Sequence, residues 1–316
     1  MGRVLGAGAP AHPAPPAGSD RRLLRVVLAL AILECVANVS EGRDPRALTA
    51  LSEACGGLLL DLHADPDHHR SVFTLAGTAD DVLDAARSLA RAAVSALDLF
   101  GHEGAHPRLG VLDVVPFVPL TPPGHLDRAV VARDAFGAWL AGAMGVPCFA
   151  YGPLPGGTVR SLPEVRRGAF GMLAPDWGPA DPHPTAGATA VGARSVLVAY
   201  NLWVTGADAT LARSVAAALR GPAVRALGFD LASGVQISCN LIDPYVVGPA
   251  QVVDAATALL RPARARVARC ELVGLLPASV LEAAPRHRWA ELDLGTDRTI
   301  EARLEAVSRR RRRHPD

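Results

Sequence analysis

The chain has 316 residues but no lysine, so every basic side chain is an arginine or a histidine. Schiff-base enzymes, pyridoxal-phosphate enzymes and P-loop NTPases need a lysine amine, and these classes are therefore excluded. Acidic and basic residues nearly cancel, leaving a formal net charge of +1. This balance gives no reason to expect a nucleic-acid partner or a membrane-surface partner.

The chain also lacks paired cysteines. Its five cysteines are far apart and form no CxxC motif, which argues against a disulfide framework or a zinc knuckle. We expect them to be reduced core thiols in a cytoplasmic protein. The apolar fraction of 50 % is ample for a buried core, and the length predicts about two domains.

No apolar run is long enough to span a bilayer. Arg21 and Arg22 precede an apolar run, as in a signal peptide, but that run ends in Glu34 and Cys35 without a small-residue cleavage pattern. We therefore favour a disordered extension, or an upstream start codon, over residues 1–30. This extension would lead into a buried first strand.

Apolar strands and amphipathic helices alternate in the same order in two parts of the chain. The first part predicts strands at 30–36, 58–62, 70–75 and 111–118, helices at 46–55 and from Thr78 onward, and an added helix at 127–144 and strand at 147–151. The second predicts strands at 195–204, 224–229, 235–242 and 266–273, with helices at 207–220 and 249–260. Each part follows the β-α-β-β-α-β pattern.

We therefore predict an α+β fold of two tandem ferredoxin-like subdomains, at 31–194 and 195–290, with a ligand-binding cleft between them. Residues 152–194 are rich in glycine and proline, which indicates a long functional connection and not a packed element. Residues 291–316 form a tail with five consecutive arginines, Arg309 to Arg313. Such a run could bind nucleic acid or anions, but we expect a solvated, disordered end.

His106, Pro107 and Arg108 lie in a turn-rich loop that begins at Gly101 and runs into an apolar strand. The ordinary pKa of histidine suits proton transfer near neutral pH, and arginine binds carboxylates in a bidentate manner. Proline restrains the backbone next to the histidine. Spacing alone leaves an active site and a surface loop with incidental charges as equal alternatives.

A second polar cluster runs from Asp61 to Arg70 and includes three histidines. Together with His102 and His106 it could bind a divalent metal ion. Its spacings match no common zinc motif, so we predict no metal and keep a polar turn as the default interpretation.

Two further segments are candidate binding sites only if the fold places them beside the cleft. Asn38 lies in a turn after the first strand, which matters if that strand end faces the cleft. Residues 175–189 are glycine-rich and could expose backbone to a flat heteroaromatic ligand, although read alone they are a linker.

Taken together, five sequence blocks resemble the glutamate formimidoyltransferases, the transferase half of formimidoyltransferase-cyclodeaminase. The resemblance extends over residues 33–284, and five blocks in the right order are more specific than one short motif. The blocks are 33–42, 59–70, 104–119, 175–194 with Tyr200 and Asn201, and 271–277.

This resemblance implies two ferredoxin-like subdomains and transfer of a formimidoyl group from N-formimidoyl-L-glutamate to the co-substrate tetrahydrofolate. The products would be L-glutamate and 5-formimidoyltetrahydrofolate, in a late step of histidine breakdown. It also implies small-molecule substrates, no metal cofactor and, by family analogy, a homodimer.

The resemblance places the catalytic histidine at His106, which would take a proton from N5 of the pterin and return it to the departing nitrogen. Asn38, Arg70 and Arg108 would bind the substrates, the arginines through carboxylates. The folate-binding stretch falls on residues 178–187, with matches at Gly178, Pro179, Pro184 and Gly187.

The chain departs from the family pattern at five positions. Ala105 stands where the family has an acid before the catalytic histidine, and Ala169 stands where it has another acid. His63 replaces an aspartate, Glu103 replaces a lysine, and Ala186 replaces a tryptophan. These departures keep two alternatives open. One is a divergent folate-dependent transferase with another donor, and the other is a non-catalytic folate-binding protein.

Overall fold

A computed structural model describes residues 32–120 and 126–313. The expected extension at 1–30 lies outside the described residues. The fold is α+β, as predicted, with one seven-stranded sheet and one four-stranded sheet. In the described segments, no helix is long and apolar enough to cross a membrane.

The first sheet has the strand order β2-β3-β1-β4-β7-β5-β6. The pairs β2–β3, β3–β1 and β1–β4 are antiparallel, the pairs β4–β7 and β7–β5 are parallel, and β5–β6 is antiparallel. The strands are β1 (Ile32–Val39), β2 (Leu59–Asp65), β3 (Arg70–Thr78), β4 (Leu112–Pro119), β5 (Cys148–Pro153), β6 (Val159–Arg160) and β7 (Thr189–Ala193).

The helices of this half begin where the local sequence predicts. The Asp44 side chain caps the first helix, which has proline at its first position, and the Thr78 hydroxyl caps the second. The two longest helices cover one face of the sheet. The helices are α1 (Pro45–Ala54), α2 (Ala79–Ala96), α3 (Leu126–Met144) and α4 (Leu162–Gly168).

The second sheet has the order β11-β8-β10-β9, which repeats the arrangement β4-β1-β3-β2 of the first sheet. Two helices cover one face of it, and two more follow the last strand. The elements are β8 (Val198–Thr205), α5 (Ala209–Leu219), β9 (Val224–Leu231), β10 (Gly234–Leu241), α6 (Pro249–Leu260), β11 (Arg266–Val273), α7 (Ala278–Ala283) and α8 (Ile300–Arg313).

Two expectations about the connecting segments are wrong. Residues 152–194 are not an unpacked connection, because β7 lies fully buried between β4 and β5. The end of the chain is helical as far as Arg313, although disorder was expected. Helix α8 is held by Ile300 and its neighbours, which pack on Leu60 and Leu275 beside the first sheet.

The helix-free faces of the two sheets meet. Alternate residues of a strand share a face, so Leu33 and Cys35 pack under the helices while Glu34 points to the other side. The second sheet likewise buries Tyr200 under its own helices and presents Asn201 on the opposite face. The facing surfaces contact each other through His68 and Gln236 and through His63 and Glu271. All five cysteines are free and buried, as expected.

Candidate active site

The loop at 100–110 lies at the end of the sheet where β1 finishes, because β1 and β4 are antiparallel and the loop leads into β4. The Ser40 hydroxyl donates to the Gly110 carbonyl at 2.8 Å and joins the two segments. The Ser40 amide donates to the Val111 carbonyl at 2.7 Å. The turn after β1 and the histidine loop therefore form one surface.

Three predicted site residues from separate elements meet here. The Arg70 Nη1 donates to Nε2 of His106 at 2.6 Å, and Nη2 of the same guanidinium donates to the Asn38 side-chain oxygen. Arg70 begins β3, Asn38 lies near the end of β1, and His106 reaches over from the loop. The antiparallel β1–β3 pairing brings Asn38 opposite Val72, two residues from the arginine.

The hydrogen bonds of His106 define its tautomer. The Nδ1 atom lies 2.7 Å from the Pro107 carbonyl, which can only accept, so Nδ1 carries the proton. The Nε2 atom then presents its lone pair to Arg70. Burial, followed by the positive charges of Arg70 and Arg166, lowers the pKa of His106 to about 2. His106 is therefore a neutral imidazole with a single basic nitrogen.

Sequence reasoning missed the ion pair behind the loop. Asp113 is 1 % exposed, and its carboxylate pairs with Arg166 Nη2 at 2.7 Å. The same carboxylate accepts from the Leu109 amide at 2.7 Å, and Arg166 Nη1 donates to the Pro107 carbonyl at 2.9 Å. That carbonyl also holds the proton of His106. A charged residue inside an otherwise apolar strand was the available signal.

Arg108 does not join this group. Its guanidinium contacts the His102 ring and donates to the His106 carbonyl at 2.8 Å. His102 stacks on His69 at 4.0 Å between ring centroids, and His102 Nε2 lies 2.9 Å from the Ser40 carbonyl. These contacts give Arg108 a role in shaping the loop, and its binding of a substrate carboxylate stays a prediction.

The cluster in 61–70 connects the two sheets. His68 is buried, and its Nε2 lies 2.9 Å from the Gln236 side-chain oxygen on β10. The His68 ring meets the His106 ring edge-on at 6.0 Å between centroids. His63, at a position where the family pattern has an aspartate, lies 3.8 Å from the Glu271 carboxylate on β11. Across residues 32–120 and 126–313, no group of acidic, histidine or cysteine side chains is arranged to hold a metal.

The predicted folate stretch borders the histidine loop at one end only. Gly187 has φ +69°, and a side chain there would collide with the Leu109 carbonyl at 2.4 Å. Gly178, with φ +94°, packs near Pro147 instead. Pro179 and Pro184 are exposed between these two glycines. The stretch thus runs from the neighbourhood of the active-site loop across the starts of β7 and β5.

Comparisons with known proteins identify the family of the chain. The family described as the formiminotransferase domain, N-terminal subdomain, matches residues 32–194. Glutamate formimidoyltransferase of Streptococcus pyogenes serotype M1 is 32 % identical over 79 % of this chain and 90 % of its own length. The Thermoplasma acidophilum protein of the same name is also 32 % identical, over 80 % of this chain and 90 % of its own.

Formimidoyltransferase-cyclodeaminase of Sus scrofa is 35 % identical over 79 % of this chain, but over only 51 % of its own length. The chain thus spans about half the length of the bifunctional relatives that it matches. The family match and the two relatives covered over most of their length agree with each other. The chain therefore belongs to the formimidoyltransferase family of transferases.

Proposed function

We propose that this protein transfers a formimidoyl group from N-formimidoyl-L-glutamate to tetrahydrofolate, giving L-glutamate and 5-formimidoyltetrahydrofolate in histidine degradation. The observation that carries the proposal is the meeting of His106, Arg70 and Asn38 in the cleft. We further propose that each half is a ferredoxin-like subdomain. The shared strand order of the two sheets supports this assignment.

The proposed chemistry needs one group that both accepts and donates a proton. N5 of tetrahydrofolate attacks the amidine carbon, forming an N5–C bond, and His106 Nε2 takes the proton that N5 loses. The bond from that carbon to the glutamate nitrogen then breaks, and His106 returns the proton to the departing nitrogen. The Nδ1–H bond to the Pro107 carbonyl keeps Nε2 as the only basic position.

Arg70 gives the donor a means of activating this base. In the free site its guanidinium donates to Nε2 and its charge lowers the pKa of His106. A donor carboxylate that binds Arg70 would withdraw that hydrogen bond and neutralise the charge. The pKa of His106 would then rise by the share that Arg70 contributes, while burial and the charge of Arg166 keep it below its ordinary value.

Tetrahydrofolate would lie across the cleft with its tail near residues 178–187. This placement is supported by the contact of Gly187 with the histidine loop. Asn38 would hydrogen-bond either the formimidoyl group or the pterin. In this proposal the reaction uses no metal.

The test is a turnover assay with purified protein, N-formimidoyl-L-glutamate and tetrahydrofolate, following the folate absorbance change and released glutamate. His106→Gln should lower turnover about a hundredfold to ten-thousandfold, whereas the matched control His287→Gln, at an exposed position, should behave as wild type. Turnover that His106→Gln leaves unchanged would refute the assignment of the base.

A donor panel separates the alternatives that Ala105 and His63 raise. Wild-type protein that ignores N-formimidoyl-L-glutamate but uses its N-formyl counterpart would be a transferase with another donor. Binding of 5-formyltetrahydrofolate without turnover of any donor would indicate a folate-binding protein.

A further inference from the structure

The turn between β2 and β3 supports the histidine loop from below. The Ala105 amide donates to the Asp67 carbonyl of this turn at 3.3 Å. A Cβ at Gly104 would lie 2.5 Å from the His68 carbonyl oxygen, so the backbone of the loop packs directly on the turn. The His68 ring meets the His106 ring edge-on at 6.0 Å between centroids. The position of this turn therefore helps to set the position of the loop.

The second half of the chain holds the same turn from the opposite side. The His68 Nε2 atom lies 2.9 Å from the Gln236 side-chain oxygen on β10, which can only accept, so Nε2 carries the proton. The His68 ring also meets the Phe229 ring on β9 at 5.0 Å between centroids. The Ser233 amide, between β9 and β10, donates to the Asp67 carboxylate at 3.2 Å. One hairpin from each half thus meets the other, and the histidine loop packs on the hairpin of the first half.

Gln236 is a rigid anchor for this contact. Its side chain is fully buried, and Trp203 and Phe229 lie directly opposite it on the two neighbouring strands. Residues that face each other in this way have Cβ atoms about 5 Å apart on one face of the sheet, so two aromatic side chains flank the glutamine. Its amide nitrogen has no hydrogen-bond partner among the described residues. The bond to His68 is therefore the contact that offsets the burial of this amide.

We propose that Gln236 and His68 are positioning residues, through which the second half of the protein sets the place of His106. This inference rests on the proposed function, in which Nε2 of His106 moves the proton. The bond from His68 to Gln236 fixes the turn, and the turn fixes the loop backbone just before His106. Neither residue exchanges a proton with the substrates.

Support from outside the loop matters because one nitrogen of His106 must reach two substrate atoms in turn. The Pro107 carbonyl fixes the His106 ring, but this carbonyl belongs to the same loop and moves with it. Arg166 holds that carbonyl from the first half at 2.9 Å, and the β2–β3 turn supplies the second support. A misplacement of about 1 Å can slow an enzyme about a hundredfold. We therefore expect loss of the His68–Gln236 bond to lower kcat and to leave substrate binding intact.

The test is steady-state kinetics of the full chain with N-formimidoyl-L-glutamate and tetrahydrofolate. Gln236→Leu removes the acceptor and His68→Leu removes the donor, and each should lower kcat about tenfold to a hundredfold with an unchanged KM for either substrate. The double variant should be no slower than the slower single variant, because both changes break the same bond. The matched control Gln251→Leu, at an exposed position, should behave as wild type.

His68→Gln separates positioning from a loss of folding. A glutamine amide offers an N–H donor near the place of the His68 Nε2 atom, so this variant should recover most of the kcat that His68→Leu loses. A raised KM with unchanged kcat in Gln236→Leu would show that the glutamine binds a substrate, and would overturn the proposal. Losses that multiply in the double variant would overturn it as well.

A second measurement does not depend on turnover. In NMR spectra of ¹⁵N-labelled protein, the ring signals of His106, assigned by their absence from His106→Gln, should shift in Gln236→Leu and stay in place in Gln251→Leu. Unmoved His106 signals in Gln236→Leu would refute the positioning role and leave the proposed function standing. Wild type that turns over no donor would refute the proposed function, whereas the NMR result still decides whether the second half positions His106.

Discussion

Asp113→Asn tests whether a buried ion pair sets the geometry of His106. The side chain is 1 % exposed and pairs with Arg166 at 2.7 Å. The change removes the negative charge, so the amide faces the guanidinium with no charge to balance it. Breaking one partner of a buried pair costs about 3–5 kcal/mol, a large share of the 5–15 kcal/mol that is typical of folded proteins. We expect a fall of that size in the free energy of unfolding.

Urea unfolding at pH 7.5 measures this effect. The matched control is Asp254→Asn, which removes a 63 % exposed partner of Arg288 and should cost no more than about 1 kcal/mol. Turnover by Asp113→Asn should also fall, because Arg166 would no longer fix the Pro107 carbonyl that holds the proton of His106. An Asp113→Asn protein as stable as the control would show that the pair does not organise the loop.

Three further predictions concern single positions. His106→Gln should lower kcat about a hundredfold to ten-thousandfold with an unchanged thermal midpoint, measured by turnover and calorimetry. Burial raises the pKa of Glu34 in the folded protein to about 7, against 4.5 ordinarily. The neutral side chain therefore favours the folded state fully below pH 4.5, and this stability is lost as pH rises through 7. Urea titrations should show wild type losing about 3 kcal/mol relative to Glu34→Gln between pH 4.5 and 8, and parallel curves would contradict the pKa. Gly110→Ala should cost more than about 1 kcal/mol in urea unfolding, because its Cβ would lie 2.2 Å from the Ala188 carbonyl, and no loss would exclude this close packing.

Helix starts were predictable from the sequence because their signals are local. Asp44 before a proline and Thr78 before two acids each satisfy backbone amides within three residues. Strand β7 gave no such signal. Its residues are small, and their composition resembles that of the loops around them. At Gly192 the reason is packing, because a side chain there would collide with the Tyr151 ring. Its place in the sheet depends on parallel neighbours far away in sequence.

The candidate site was likewise predictable only where the signal is local in sequence. His106 was identifiable as a candidate, but its meeting with Arg70, 36 residues away, depends on the register of three strands. Arg108 is of a residue type that often binds carboxylates, yet its guanidinium contacts His102 and donates to the His106 carbonyl within the loop. Arg166 was inconspicuous in a short helix and becomes important only because Asp113 is buried opposite it. Spacing reports residue types, whereas burial and long-range partners decide their roles.

The arrangement around His106 also gives a physical basis for choosing a donor. One side of the imidazole is fixed by the Pro107 carbonyl, and the other is occupied by Arg70. While the guanidinium stays there, the lone pair is blocked, and burial together with the charges of Arg70 and Arg166 keeps the pKa of His106 low. Only a ligand that draws Arg70 away through a carboxylate would free the lone pair. Selection for an acidic donor would then arise from activation of the base as well as from binding, because with an amidine that lacks a carboxylate His106 could not accept the proton from N5 of tetrahydrofolate.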